Sequence, residues 1–271
     1  MTTSQKYWEP ITNDAGYVVL RPNVATENEL LQESPVNPFA ESAYPQFPLG
    51  TRAIRGVEEW LYCSAGQTYT IAGVPIQGSA AIHAEADDDI VVGAASAIGA
   101  YTVTLTSTAN LAAAPLSTKD GFANGYLVVN DGPGQSQLRK IKSHEAASST
   151  NDFVVTLYDP LTVALTTASE VGLIEHPCAN VEAATAVTSR HFIGVNEIAS
   201  ITSGYYFWAK VKGPAAVLVK TAVALGTYLV VGTTSSMFNA SAAVTTELIV
   251  GEMITPGVAD GETAIAYLYG R

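Results

Sequence analysis

From residue 193 to residue 271 the chain runs through short β-branched and aromatic segments separated by glycine, with apolar residues recurring at every second position. That period predicts antiparallel strands. Tyr206, Trp208 and Val211 stand among Ala209, Lys210 and Lys212 as a half-buried strand, and Gly213-Pro214 is expected to turn the chain before Val217, Leu218 and Val219. Leu225-Gly226 precedes a further strand from Tyr228 to Val231, and Asp260-Gly261 marks a tight hairpin leading into Ala264 to Tyr269. The stretch predicts a small antiparallel β-barrel with no catalytic group of its own.

The same reading extends upstream. Within residues 49–192, strands are predicted at Trp60 to Cys63, Thr68 to Ile71, Ile90 to Val92, Tyr101 to Leu105, Tyr126 to Val129, Leu138 to Ile141 and Phe153 to Leu157. Asn130-Asp131-Gly132-Pro133-Gly134 is the clearest hairpin signal in the chain. Residues 1–48 instead carry Pro10, Pro22, Pro35, Pro38, Pro45 and Pro48 without sustained periodicity, which predicts an extended arm. One helical turn is expected at Thr26 to Gln32, with Thr26 and Glu29 as a capping box. Tyr7, Trp8, Tyr17, Phe39, Tyr44 and Phe47 give this arm enough apolar mass to dock on its own body or on a neighbouring subunit. The expected fold is all-β: an arm (1–48), a sandwich or barrel (49–192) and a small C-terminal barrel (193–271). Tyr-Leu-Val-Val occurs at 126–129 and again at 228–231, which fits either two related β units or coincidence between strands of similar composition.

The order of elements from residue 193 resembles the small β-barrel of tailed bacteriophage capsid decoration, or cement, proteins. The positions that carry the likeness are Gly194-Val195, Gly204, Val211 with Gly213, Gly226 with Leu229, Ile249 with Gly251, and Gly261-Glu262 before Ile265 and Tyr267. Residues 49–66 also resemble the region after the N-terminal arm of larger phage head proteins. The resemblance implies a structural subunit on the virion capsid surface, made in the host cytoplasm. Its implied partners are the major capsid protein and further copies of itself, most simply as a trimer.

Composition bears on partners. Only 14% of residues are charged, against about 25% in ordinary soluble domains, so either Ser, Thr, Asn and Gly dress the surface or other subunits cover part of it. The net charge is −12, concentrated at the front: residues 1–100 hold 12 acids and four bases, whereas residues 193–271 hold five and four. An acidic field repels phosphate backbones, so no nucleic-acid partner is expected. The one basic cluster, Arg139, Lys140 and Lys142, is split between two strand faces. No apolar run of 18 residues is free of charge or clustered glycine, and no membrane partner is expected. Residues 1–10 lack a basic-plus-apolar signal pattern. Cys63 and Cys178 form no metal knuckle; two buried reduced thiols and a single long-range bridge are the alternatives.

Several fragments imitate catalytic motifs and lack a necessary part. His83-Ala84-Glu85 with Pro177-Cys178 is similar to the zinc deaminase signature, but Val181 stands where its second cysteine belongs. His144-Glu145 opens an HExxH pattern whose second histidine is replaced by Ser148. Asp87-Asp88-Asp89 reads as a solvated acidic turn, since strand neighbours point apart and cannot all ligate one cation. Glu58-Glu59, the remaining close carboxylate pair, diverges for the same reason, against an enzyme acting through paired acids. No cofactor, metal or catalytic residue is expected. The functional expectation is a decoration subunit anchored by Trp8, Phe39, Tyr44, Trp60, Tyr205 and Trp208. The alternative is a carbohydrate-binding β module of a tail, neck or fibre protein.

Overall fold

The computed structural model describes residues 11–12, 18–19, 37–78, 90–106, 116–149, 151–184, 191–232, 237–241, 248–257 and 259–270. No helix occurs among them, and the chain is all-β, as its period-two patterning predicts. In chain order the strands are β1 (Ile11–Thr12), β2 (Val18–Val19), β3 (Arg52–Arg55), β4 (Glu58–Ser64), β5 (Pro75–Gln77), β6 (Ile90–Ala94), β7 (Thr102–Leu105), β8 (Tyr126–Asp131) and β9 (Leu138–His144). They continue as β10 (Phe153–Leu157), β11 (Glu170–Ile174), β12 (Glu182–Ala183), β13 (Phe192–Asn196), β14 (Tyr206–Val219), β15 (Tyr228–Val231), β16 (Phe238–Ala240), β17 (Gly251–Met253) and β18 (Glu262–Tyr269). The helical turn expected at Thr26 to Gln32 lies outside the described residues.

Two compact units divide the chain: Ala81–His176 form one, and Met1–Ala80 with Pro177–Arg271 form the other. The insert departs after β5 and returns before β12, and those two strands pair, Glu182 opposite Gln77 and Ala183 opposite Ile76. The host sheet is thus continuous across the insertion. These limits differ from the zones 1–48, 49–192 and 193–271. Composition changes near 48 and 193, whereas long-range pairing joins β4 to β14 and β5 to β13.

In the inserted unit, β6 to β11 close into a barrel in the order β10, β7, β6, β11, β8, β9. Alternation fills it: Phe153, Val155 and Leu157 of β10 and Leu127 and Val129 of β8 point inward and are buried. Each large side chain removed from water contributes roughly 1.5–3 kcal/mol. The hairpin predicted at Asn130 to Gly134 joins β8 to β9, with Tyr126 opposite Lys140 and Val128 opposite Leu138. Buried Gln137 ties that hairpin to the chain beyond β10. Its Oε1 accepts from the backbone N–H of Thr162 (2.8 Å) and Val163 (3.1 Å), and its Nε2 donates to the carbonyls of Gly134 (3.2 Å) and Val163 (3.1 Å).

In the host unit, β14 is 14 residues long. Its first half pairs with β4 and β13 and its second half with β18. The chain runs straight through Gly213-Pro214, where the sequence predicts a turn. A bulge between Lys210 and Lys212 against β4 absorbs the irregularity, and Gly213 takes φ +92° with the Val57 carbonyl 3.0 Å from where a Cβ would stand. The expected half-burial of this strand is also exceeded: Phe207 to Val211 are all buried. The strands β14, β16, β15, β17 and β18 close a second ring. In it β14 and β16 run parallel through Val219 and Phe238, and the other neighbours are antiparallel. Val217, Val219, Leu229, Phe238, Met253, Ala266 and Leu268 belong to its core. β17 approaches β18 closely because residue 251 is glycine; a Cβ there would lie 2.5 Å from the Tyr267 carbonyl oxygen. Thr68 to Ile71 is not a strand. Tyr69 alone pairs there, with Ile201, because its buried ring and its hydroxyl, donating to the Val181 carbonyl at 2.9 Å, anchor one residue rather than a ladder.

Candidate interaction surface

The aromatic anchors expected from the sequence have separate fates. Trp8 lies outside the described residues. Phe39 and Tyr44 project from the segment 37–50, 50% and 79% exposed. That segment docks on β14: Ser42 and Tyr206 exchange backbone hydrogen bonds at 2.8 Å, and the Glu41 carboxylate accepts from the Thr202 N–H at 2.6 Å. Phe47 packs its ring 5.4 Å from that of Tyr62 and 5.3 Å from that of Trp208. Trp60 and Trp208, each 2% exposed, are core residues and not surface anchors. Phe47 of the docked segment packs over the face on which Trp208 stands, and β3 extends the sheet beside Trp60. Tyr205 is half-buried.

On the same face sits a charge cluster, with Lys210 buried at its centre, that sequence reasoning missed. Lys210 is 1% exposed; its ammonium hydrogen-bonds Glu58, lies 3.7 Å from Glu197 and stands 4.1 Å from the centre of the Trp60 ring. The Trp60 indole N–H donates to Glu197 at 2.7 Å, and the Arg55 guanidinium donates to Glu58 at 2.9 and 2.6 Å. Two cations and two carboxylates balance, which a buried cluster requires. Burial pushes the Glu58 carboxyl up, but hydrogen bonds and charge from Lys210 and Arg55 outweigh it and hold the group below its ordinary value. Glu59 faces away, 3.3 Å from Lys212 and 3.6 Å from Arg52. The two neighbouring carboxylates diverge as expected, each committed to cations.

The outer wall of the C-terminal ring carries an aromatic grouping that this chain's described residues leave partly exposed. Cross-strand partners project to the same side of a sheet. Register therefore places Tyr228, Glu252, Tyr267 and Pro214 in one row across β15, β17, β18 and β14. Tyr269, Lys212 and Glu59 form the adjacent row, and Ile265 faces Ala216 beyond. Tyr228, Ile265 and Tyr269 are 45%, 45% and 40% exposed. The Tyr269 hydroxyl donates to Glu252 at 2.9 Å; desolvation and then this carboxylate push its phenol up to about 12. The Tyr267 and Tyr269 ring centres lie 6.5 Å apart. A signal for this face was present: β18 is apolar at both parities, with Ala264, Ala266 and Leu268 turned inward and Ile265, Tyr267 and Tyr269 outward. A one-sided strand has no need of the second set.

Other candidates are spatially dispersed or small. A crevice lined by Phe192, Ile193, Val211, Ile249, Val250 and Gly270 has a cavity volume of about 20 Å³, far below the roughly 300 Å³ at which ligand pockets begin. Among the described residues no group of three His, Cys, Asp or Glu is placed to hold a metal; His83, Glu85 and Asp87 to Asp89 lie outside them. His144 of the incomplete HExxH pattern is buried at the end of β9, accepting from the Phe122 N–H at Nε2 (2.9 Å) and donating from Nδ1 to the Glu145 carbonyl (2.6 Å). Arg139 reaches the Pro160 carbonyl at 2.8 Å while Lys140 lies over the Tyr158 ring, so the basic cluster is divided between separate partners. Cys63 and Cys178 are both buried and are not joined in a disulfide. Compared with known proteins, the chain matches no family model, no curated sequence and no solved structure.

Proposed function

We propose that this chain is a structural protein of a tailed-phage virion, a head decoration subunit that binds the capsid exterior and stiffens it. The observation that carries the reading is the tyrosine-rich outer wall of the C-terminal ring, where β18 presents Ile265, Tyr267 and Tyr269 to a surface that nothing in this chain's described residues covers. Tyrosines anchor protein interfaces because a large, rigid ring is buried at small entropic cost and its hydroxyl keeps a partner. Contact area does the work. A specific interface buries more than about 1,000 Å², and repetition over a lattice of capsid subunits and further copies of the chain turns modest contacts into high avidity. Copy number per virion tests the assignment: hundreds of copies support head decoration, and a dozen or fewer overturn it in favour of neck, tail or fibre. Binding to expanded heads that lack the protein is expected for the wild type. It should weaken at least tenfold when Tyr228, Tyr267 and Tyr269 are all changed to serine.

A second reading draws on the same wall. Tyrosine rings beside the Glu252 carboxylate, already an acceptor for the Tyr269 hydroxyl, suit a sugar whose C–H face stacks on a ring and whose hydroxyls donate to the acid. It predicts saturable glycan binding lost in Tyr267→Ser; a glycan array without signal removes it.

A further inference from the structure

The two cysteines are separated by more than a hundred residues in sequence and are neighbours in the host unit. Cys63 lies on β4 opposite Phe207 of β14. Cys178 lies on the segment that follows the insert, and that segment is fastened to the end of β4 by a series of bonds. The Ser64 N–H donates to the Cys178 carbonyl at 2.9 Å, the Val181 N–H to the Ser64 carbonyl at 2.8 Å, the Asn180 N–H to Ser64 Oγ at 2.8 Å, and the Gly66 N–H to the Val181 carbonyl at 2.9 Å. Ala65 and Val181 form a parallel bridge. Both side chains enter the same apolar cluster, where Cys63 Sγ lies 3.5 Å from the Leu61 carbonyl with Cys178 beside it. The Ser64 N–H bond to the Cys178 carbonyl brings the backbones of residues 63 and 178 side by side, as a disulfide, which spans roughly 4.4–6.8 Å between Cα atoms, requires.

We infer that Cys63 and Cys178 form a latent disulfide, open while the protein is in a reducing compartment and closed once it meets an oxidant. A low-molecular-weight disulfide such as oxidised glutathione supplies the chemistry. The Cys63 thiolate attacks one of its sulfurs and expels one glutathione thiolate. The Cys178 thiolate then attacks the Cys63 sulfur of the mixed disulfide and expels the second. Two protons leave the protein, the cysteines are oxidised to one S–S bond, and one glutathione disulfide is reduced to two thiols. Burial, with Cys178 alongside, keeps the Cys63 thiol protonated well above its ordinary range, so exchange proceeds through transient opening and closure is slow. Closed, the bond makes a covalent loop that contains the whole insert, Ala81–His176, and fixes β4 to the returning segment. The inference is independent of which surface the protein decorates.

The test uses the full-length chain with oxidised glutathione near its unfolding midpoint, read by intact mass and non-reducing peptide mapping. The expected product is monomeric, has lost two hydrogens, contains one cross-linked peptide joining Cys63 to Cys178, and melts on the order of 5 °C higher until dithiothreitol reverses it. In Cys178→Ala the same treatment should stop at a glutathione adduct on Cys63. The inference is overturned if wild-type protein stops at that adduct, dimerises through its cysteines, or still carries two alkylatable thiols after denaturation.

Discussion

Lys210 shows how a single side chain can constrain a whole wall of the protein. Its ammonium is buried against Glu58, Glu197 and the Trp60 ring, so removing it strands carboxylates that the fold has desolvated. Lys210→Met alone is expected to cost about 3–5 kcal/mol in urea unfolding, and adding Glu58→Gln with Glu197→Gln should restore much of the loss. A triple variant no more stable than the single one would remove the account. His144 makes a prediction in pH. Burial lowers its pKa from the ordinary 6.5, because it must stay neutral to accept from Phe122 N–H. The unfolded chain thus takes up a proton first as pH falls. Stability of the inserted unit should be level above neutrality and decline as pH drops below 6.5 through the lower folded value. Calorimetry from pH 7.5 to 5 checks this, and His144→Gln should flatten the slope in that window.

At the scale of elements, the hairpin between β8 and β9 and the long strand β14 mark what a local pattern can and cannot convey. Asn130 to Gly134 announces its turn because Gly132 and Gly134 supply the positive φ it needs, +74° and +87°. What holds the turn is Gln137, a distant partner of Thr162 and Val163. Gln137→Ala removes the acceptor of the Thr162 and Val163 N–H groups, both on exposed residues, and should destabilise the inserted barrel by about 1–2 kcal/mol, read as a lowered urea midpoint. Gly213-Pro214 has the local chemistry of a turn and lies mid-strand, since pairing with β18 on one side and a bulge against β4 on the other outweigh the local preference. Gly213→Ala should cost on the order of 1–3 kcal/mol through φ strain, with the far-UV strand signal unchanged below the transition.

For the molecule as a whole, insertion is the organising fact. The strands flanking the insert pair with each other, so the host sheet requires only that the ends of Ala81–His176 lie close together. Replacing residues 81–176 by a short Gly-Ser linker is expected to leave a host unit that unfolds in one cooperative transition. The inserted barrel, expressed alone, should show its own. Loss of cooperative unfolding in both fragments would show that the units are not separable.

The sequence by itself determined the all-β class, the places of β4, β6 to β10, β14, β15 and β18, the Asn130 hairpin and the incompleteness of each catalytic motif. These depend on local φ preference, on period-two alternation and on which residue types are present. It also contained the mark of the outer wall, in the two-sided apolarity of Ile265, Tyr267 and Tyr269. Only the tertiary structure decided which aromatics face out: Trp60 and Trp208 look like anchors in sequence and are buried, Trp208 against Phe47 of the docked segment and Trp60 against Lys210 and Arg55. It likewise decided that β5 and β12 are neighbours, that Lys210 is neutralised by carboxylates from β4 and from the chain after β13, and that Cys63 meets Cys178. Each of these is a pairing across many residues, set by how sheets close and which faces they cover, and no local window of the chain carries that information.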